Sequence, residues 1–362
     1  LGDVYKRQML KKSTQYWLRV VLIVLAVIFL WAIIPVLWPL IVSLICTLIL
    51  LPVVNNIQDY MRHRLGFTWF PRWLAIIPAF LLVALILLLV IQFIILPFIA
   101  EFTRLLNNLP VLMSQLILLW QDITSGEWLK LPPQIDAIVM TTLARISSYG
   151  VELAQRGIFA IFSLATTMLE CLLVPIMTFY LLKDGRQIKS KVISIFQPPY
   201  NRYLMDVVNQ MHRTMGRYLR GQLLLATNMF CVTLIVAYFF QLPYPLVLAL
   251  FAAIAEWIPI IGPIVAAIPA VILASLVGPG LVVKIIITYA IIQLIDGQIV
   301  MPKILGHVIK LHPLVILTVI FVGGYFYGII GMMTAVPLTA MLQIVLTKLW
   351  YFNSFYKKDG TV

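Results

Sequence analysis

Six runs of the chain, at about 17–34, 36–54, 73–99, 157–182, 221–242 and 281–302, come near the roughly 20 predominantly apolar residues that one helix needs to cross a bilayer. Two longer stretches, 244–277 and 312–347, are as apolar but interrupted by Pro and Gly. A segment in hydrocarbon must satisfy its own backbone, so the choice lies between helices and a closed barrel. No extended period-2 alternation suggests a barrel, which leaves helices. The expected fold class is an all-α polytopic membrane protein with about eight membrane-embedded helical elements. Composition agrees: 62% of residues are hydrophobic and 11% charged, with a mean hydropathy of +1.04. A soluble domain runs nearer about 45–50% and about 25%.

The net charge of +13 raises the question of a nucleic-acid partner. The Lys and Arg residues, however, sit in short loops between apolar runs, where they report membrane topology. The expected partner is the lipid bilayer and not nucleic acid. Basic clusters at Lys11, Lys12 and Arg19, at Arg62, Arg64 and Arg72, through 183–220, at Lys303 and Lys310, and at Lys348, Lys357 and Lys358 assign those loops, and both termini, to the cytoplasm. Residues 100–155 hold Glu101, Asp122, Glu127, Asp136 and Glu152 against Arg104, Lys130 and Arg145, a net −2, and belong outside. Residues 17–54 then form a tight in-out-in pair turning near Pro35 and Pro39.

The resulting division is as follows. Residues 1–8, LGDVYKRQ, precede Met9 and read as a non-native leader; 9–99 hold the N-terminal transmembrane helices. No A-x-A-like site follows the first run, so no cleaved signal peptide is expected. Residues 100–155 form an external amphipathic region with a turn at Pro132 and Pro133, and 156–182 a transmembrane helix. Residues 183–220, with eight Lys and Arg against Asp184 and Asp206, form a basic cytoplasmic amphipathic helix drawn to anionic headgroups. A C-terminal core at 221–350 and a cytoplasmic tail at 351–362 complete the chain.

The two interrupted stretches resemble each other. At a constant offset of 68, Pro245-Leu246-Val247 matches Pro313-Leu314-Val315, and Ala267 and Pro269 match Ala335 and Pro337. Gly262 and Gly331 match within one residue. Each copy has halves of about 15–17 residues around a Gly-bearing break, short for two ordinary spans, which favours helical hairpins. Positive-inside ordering inserts them from opposite sides, a possible inverted repeat of the kind that surrounds a midplane site in many secondary transporters. Reading both as single tilted spans would put Lys303 and Lys310 outside, and ranks second.

Pro259, Gly262, Pro263 and Pro269, like Pro302, Gly306, Pro313, Gly331 and Pro337, free backbone groups that only protein or a water-filled cavity can satisfy at membrane depth. They mark cavity walls or hairpin tips. Gly324 and Gly328 form a small-xxx-small spacing that suits close helix packing. Glu256, in EWIPIIGPIVAAIPA, and Asp296, in QLIDGQIVMPKILG, are the sharper signals: an ionised carboxylate at mid-bilayer costs several kcal/mol and faces an aqueous path or a partner. Both are candidate transport and coupling residues. The competing readings place Glu256 at the outer interface and pair Asp296 with Lys303; Glu170 and Lys284, near span ends, rank lower.

Little else carries chemistry. Cys46, Cys171 and Cys231 lie singly in apolar runs and read as small core residues; His63, His212, His307 and His312 form no metal motif. No metal site and no cofactor are expected. The acids have no neighbouring nucleophile or base that would suit an intramembrane enzyme, and no Walker-type loop suits nucleotide-driven transport.

VPIMTFYLLKDG (174–185), RYLRGQLL (217–224), EWIPIIGPIVAAIPAVILA (256–274) and QLIDGQIVMPKILGHVIKLHPLVILTVIFVGGYFYGIIGMMTAVPL (293–338) occur in that order. Together they closely resemble the autoinducer-2 exporter family of bacterial inner-membrane proteins, over nearly the whole chain after Met9. The resemblance implies a multi-pass inner-membrane transporter, with Glu256, Pro259, Gly262, Pro263, Asp296, Pro302, Gly306, His312, Pro313 and Pro337 standing where the family pattern places like residues. Members of the family are associated with export of a quorum-sensing furanone or with sodium or lithium/proton antiport. Two mechanisms follow: a small polar solute held by freed backbone and by Asn228, Gln293 and Gln298, or exchange of H+ on Glu256 or Asp296 for a cation such as Na+, so that the inward proton gradient drives efflux. A structural oligomeric scaffold is the reading from another class. Transport proteins of this size often assemble, so a homo-oligomer is expected.

Overall fold

The computed structural model describes residues 38–64, 66, 69, 71–125, 134–142, 145, 168–198, 200–306 and 311–350. The expected leader, the first run at 17–34, the turns at Pro35 and at Pro132 and Pro133, most of 143–167, His307, Lys310 and the tail lie outside the described residues, as do the side chains of Glu170 and Cys171.

Every element among the described residues is helical. In chain order they are α1 (Trp38–His63), α2 (Arg72–Val90), α3 (Leu96–Ser125), α4 (Met168–Ser194), α5 (Tyr200–Phe239), α6 (Pro245–Ala255), α7 (Ile261–Val277), α8 (Pro279–Ile295), α9 (Met301–Leu305) and α10 (Pro313–Trp350). A short helical segment at 134–142 lies between α3 and α4. α2 passes into α3 through a π-helical turn, Ile91–Ile95, and α8 into α9 through another, Asp296–Val300. Among the described residues, five segments are long and apolar enough to cross a membrane: Trp38–His63, Arg72–Asp122, Tyr200–Phe239, Pro279–Leu305 and Pro313–Lys348. α6 and α7 are shorter.

Helices run through several points where charge changes along the sequence. α4 continues from the apolar run into the basic segment past 182, and α5 is unbroken from Tyr200 through 220 and 221 to Phe239. Charge marks where a helix leaves hydrocarbon, not where it stops, because helical backbone satisfies itself in either solvent.

Three buried clusters hold the bundle. Val54 of α1, Ala75, Ile76 and Ala79 of α2 and Leu182 of α4 form the first. α5 to α8 form the second around Met229, Ala237, Leu248, Ala252, Ala270, Ala274, Ile285 and Tyr289, where alanines let helices approach closely. The third joins Leu48 of α1, Tyr218 and Leu225 of α5, Leu305 of α9 and Ile320 and Val336 of α10. Large apolar side chains such as Leu81, Leu88, Phe93, Ile235 and Phe239 point outward, as a lipid solvent requires. The same solvent corrects one expectation: Cys231 is exposed and Cys46 half-buried, not core, because an apolar residue in a span fits either face.

Both interrupted stretches fold back on themselves. α6 and α7 pair across Glu256–Ile260, with Gly262 against the Ala255 carbonyl. α10 reverses at Gly328 (φ 59°, ψ −143°), which brings Gly323 and Gly331 backbone to backbone, although residues eight apart in a straight helix stand about 12 Å apart.

Candidate translocation site

The first hairpin is built from the start of α6 toward its tip. Tyr244, in a left-handed conformation, precedes α6 and offers no side-chain cap, and Pro245 has no N–H to satisfy. Glu101 of α3 supplies the cap instead: its Oε2 accepts from the Leu246 N–H at 2.9 Å and the Val247 N–H at 3.4 Å, favourable for an anion at a helix N-terminus. Asn108 of α3 donates to the Tyr244 hydroxyl at 2.9 Å. The 11 residues of α6 then rise about 16 Å, roughly half of a 30 Å hydrocarbon core.

After α6 the chain turns. The Ile261 N–H donates to the Pro259 carbonyl at 2.8 Å across Ile260, whose φ of 71° and ψ of −51° make a γ-turn. A β-branched residue rarely takes a positive φ, and such a residue holds of order 1–3 kcal/mol of strain. Gly262 follows, and a Cβ there would collide with the Ala255 carbonyl oxygen, so only Gly lets the arms close. Pro263 falls in the first turn of α7, where a missing N–H is harmless, while Pro269 lies inside α7 and removes a helical donor.

Glu256 sits at the C-terminal end of α6, 6% exposed. Its carbonyl accepts from Gln222 Nε2 of α5 at 2.7 Å, a side chain itself 2% exposed. Asp296, 7% exposed, opens the π-helical turn after α8, a geometry often found at functional sites. The two carboxylates interact electrostatically, and one buried oxygen of each, Glu256 Oε2 and Asp296 Oδ1, has no hydrogen-bond partner among the described residues. Trp257, Ile258 and Ile261 from the hairpin tip pack into the third cluster with Met301 and Ile304, and with Ile320, Met332 and Val336 of α10. The fold thus sets the two acids at the junction of both hairpins, α5 and α9.

The other expected residues are distributed around this junction. Pro302 is in the first turn of α9, and Gly306 (φ 53°) ends it. Pro313 begins α10, whereas Pro337 is buried in its interior. Gly331 packs on the Gly323 carbonyl, and Gly324 lies under Met332. Gly328 is a correction: nothing stands within 4 Å of a Cβ built there, and its non-helical backbone turns the chain instead of packing a helix face. The i, i+4 reading presumed a continuous helix, which this residue breaks. Asn228 and Gln293 are half-buried and Gln298 is exposed. Gln222 and Glu101 went unrecognised as supports; the only signal for Gln222 was a lone amide among leucines in RYLRGQLL.

These features define a class: a multi-pass helical membrane protein whose helices break around a buried carboxylate pair. A family model described as AI-2E family transporter matches residues 20–350, and the chain belongs to that family of transporters. It is 29% identical over 344 residues to "Putative transport protein YueF" of Bacillus subtilis (strain 168), covering 92% of this chain and 93% of that protein. With "Putative transport protein YrrI" of the same organism it shares 28% identity over 357 residues, 93% and 97% of the two chains. A "Sodium-lithium/proton antiporter" of Halobacillus andaensis is 25% identical over 329 residues, 88% of this chain and 91% of that protein.

Proposed function

We propose that this protein moves a small solute, a quorum-sensing signal or a similar molecule, outward across the bacterial inner membrane, with Glu256 and Asp296 as the proton-carrying groups. The observation that carries the reading is the burial of two interacting carboxylates, each with an unbonded oxygen, where the two hairpins meet. Carboxylates that bind and release a proton at such a junction can couple its rearrangement to a gradient.

The inverted repeat belongs to the same proposal. Ala255 and Gly262 close the first hairpin, Gly323 and Gly331 the second; Ala255 and Gly323 are separated by the same 68 residues as the sequence matches, and Gly262 and Gly331 by one more. Sidedness is supported by contacts within each expected face. Glu101 and Asn108 meet the start of α6 outside, while Lys348 pairs with Asp206 at 2.6 Å on the cytoplasmic side. Both termini then lie in the cytoplasm, 221–350 forms the transport core, and the chain works as a homo-oligomer. Sodium or lithium/proton antiport is the second reading, favoured by the name of the Halobacillus andaensis relative.

Proteoliposomes holding an internal pH dye test this under imposed sodium, lithium and candidate-solute gradients. Proton movement lost in Glu256→Gln or Asp296→Asn makes that acid the carrier. Solute flux without proton movement, unchanged in both variants, removes the coupling role, and no flux of any kind favours a structural scaffold.

A further inference from the structure

A second site lies away from the acids, between α1 and α5. Pro52, inside α1, has no N–H to offer the Leu48 carbonyl four residues earlier. Arg220 of α5 replaces it, its Nη1 donating to Leu48 O at 2.9 Å. Gly216, one turn before, leaves space for that guanidinium: a Cβ there would stand 3.4 Å from Nη1 and 3.7 Å from the Leu48 oxygen. What remains open is a cavity of about 210 Å³, with Leu51 and Asn55 on the α1 wall and His212, Arg213 and Arg217 on the α5 wall.

The charge of this cavity is one-sided. Arg213, Arg217 and Arg220, spaced four and three residues apart, share one face of α5. Among the described residues, no carboxylate lines the space. The one acid on the preceding turns of α5, Asp206, is engaged by Lys348, and Lys189 adds its field at His212. Arg213 and Arg217 are exposed and form no ion pair with a described carboxylate. Guanidinium forks grouped in this way suit oxygens of a phosphate, which they bind bidentately. Leu48 and Leu51 line the same space, and the apolar half of α5 begins at Leu223, so the cavity sits where the basic part of α5 meets its apolar part and has an apolar edge.

We propose that this cavity binds a phosphate-type oxyanion through Arg213 and Arg217, with Arg220 braced on Leu48 behind them. An anionic phospholipid headgroup and a soluble phosphate present the same chemistry, and the test separates them. The purified full-length protein is exchanged into micelles containing phosphatidylglycerol or phosphatidylcholine alone and examined by native mass spectrometry. In parallel its thermal midpoint is followed with inorganic phosphate.

Wild type is expected to retain phosphatidylglycerol, with occupancy at least tenfold lower in the double variant Arg213→Gln, Arg217→Gln and unchanged in Arg202→Gln. Arg202 lies on the same helix outside the cavity. Asn55→Asp, which removes no arginine and puts a carboxylate against the pair, is expected to lower occupancy as well and covers misfolding of the double variant. A midpoint raised by phosphate in wild type alone, without lipid retention, assigns the site to a soluble anion. Neither effect, or an equal loss in Arg202→Gln, overturns the proposal, because surface charge in general then accounts for any binding.

Discussion

The first hairpin turns through five residues, Glu256–Ile260, whereas the second turns at one, Gly328, and the two glycines that matter do opposite work. Gly262 has no need of an unusual backbone; it is required because a Cβ would enter the Ala255 carbonyl. At Gly328 there is open space, and the requirement is a φ of 59° with a ψ of −143°. The surroundings differ as well. The first tip is held by Gln222, the start of its first arm by Glu101, and Trp257 and Ile258 anchor it in the third cluster. At the second tip Tyr325 is 84% exposed, and Phe326 and Tyr327 are exposed beside it. A pinned hairpin can keep a strained Ile260 and a buried acid in place; one whose tip is exposed among the described residues turns where a glycine allows it at little cost.

The largest test of that difference is overpacking. Gly262→Val drives a branched side chain into backbone that no rotamer can avoid, and is expected to lower stability by about 3 kcal/mol, read as a fall in thermal midpoint of the purified protein. Gly331→Val meets the Gly323 carbonyl in the same way, but a hairpin with a free tip can splay, so its loss is expected to be smaller. Equal losses would end the distinction between pinned and free.

Next in size is Gln222→Leu, which keeps the volume but leaves the Glu256 carbonyl unbonded in a buried place. About 2 kcal/mol is expected, with a matching drop in transport. Gly328→Ala follows at about 1–2 kcal/mol, the strain of a positive φ. Because nothing lies within 4 Å, Gly328→Leu is expected to behave like Gly328→Ala; a much larger loss for leucine would show that space, not φ, selects glycine there.

Ile260→Gly works in the other direction. Relief of the γ-turn strain, less the added freedom of glycine in the unfolded chain, is expected to raise stability by about 1 kcal/mol while loosening the tip and slowing transport. A faster variant would mean the strain is no part of the working cycle. The smallest effect belongs to Glu101→Gln, where an amide oxygen still accepts but the charge at the N-terminus of α6 is lost, worth roughly 0.5 kcal/mol.

Much of this was legible before any coordinates. The offset of 68 pairs Pro245 with Pro313, which both begin helices, and Pro269 with Pro337, which lie inside helices and not at a hairpin tip. Glu256 and Asp296 stood out because nothing around them in the sequence was charged. Gln222, Glu101 and the brace from Arg220 to Leu48 did not, since each joins residues 34 to 172 positions apart and depends on which face of a helix meets which neighbour. In a soluble protein hydrophobic periodicity reveals that face. Here Cys231 and the exposed leucines show why it does not: lipid accepts the same side chains as the core.

The sequence alone determined that the chain is helical and lives in a bilayer, that two stretches break at Pro and Gly, and that two acids are buried, because each follows from the energy of placing a residue in hydrocarbon. Which helices touch, that both acids reach one junction, and that among the described residues one hairpin tip is packed into a cluster while the other is exposed were decided only by tertiary packing. Contacts between surfaces of equal hydrophobicity leave no mark in composition or period.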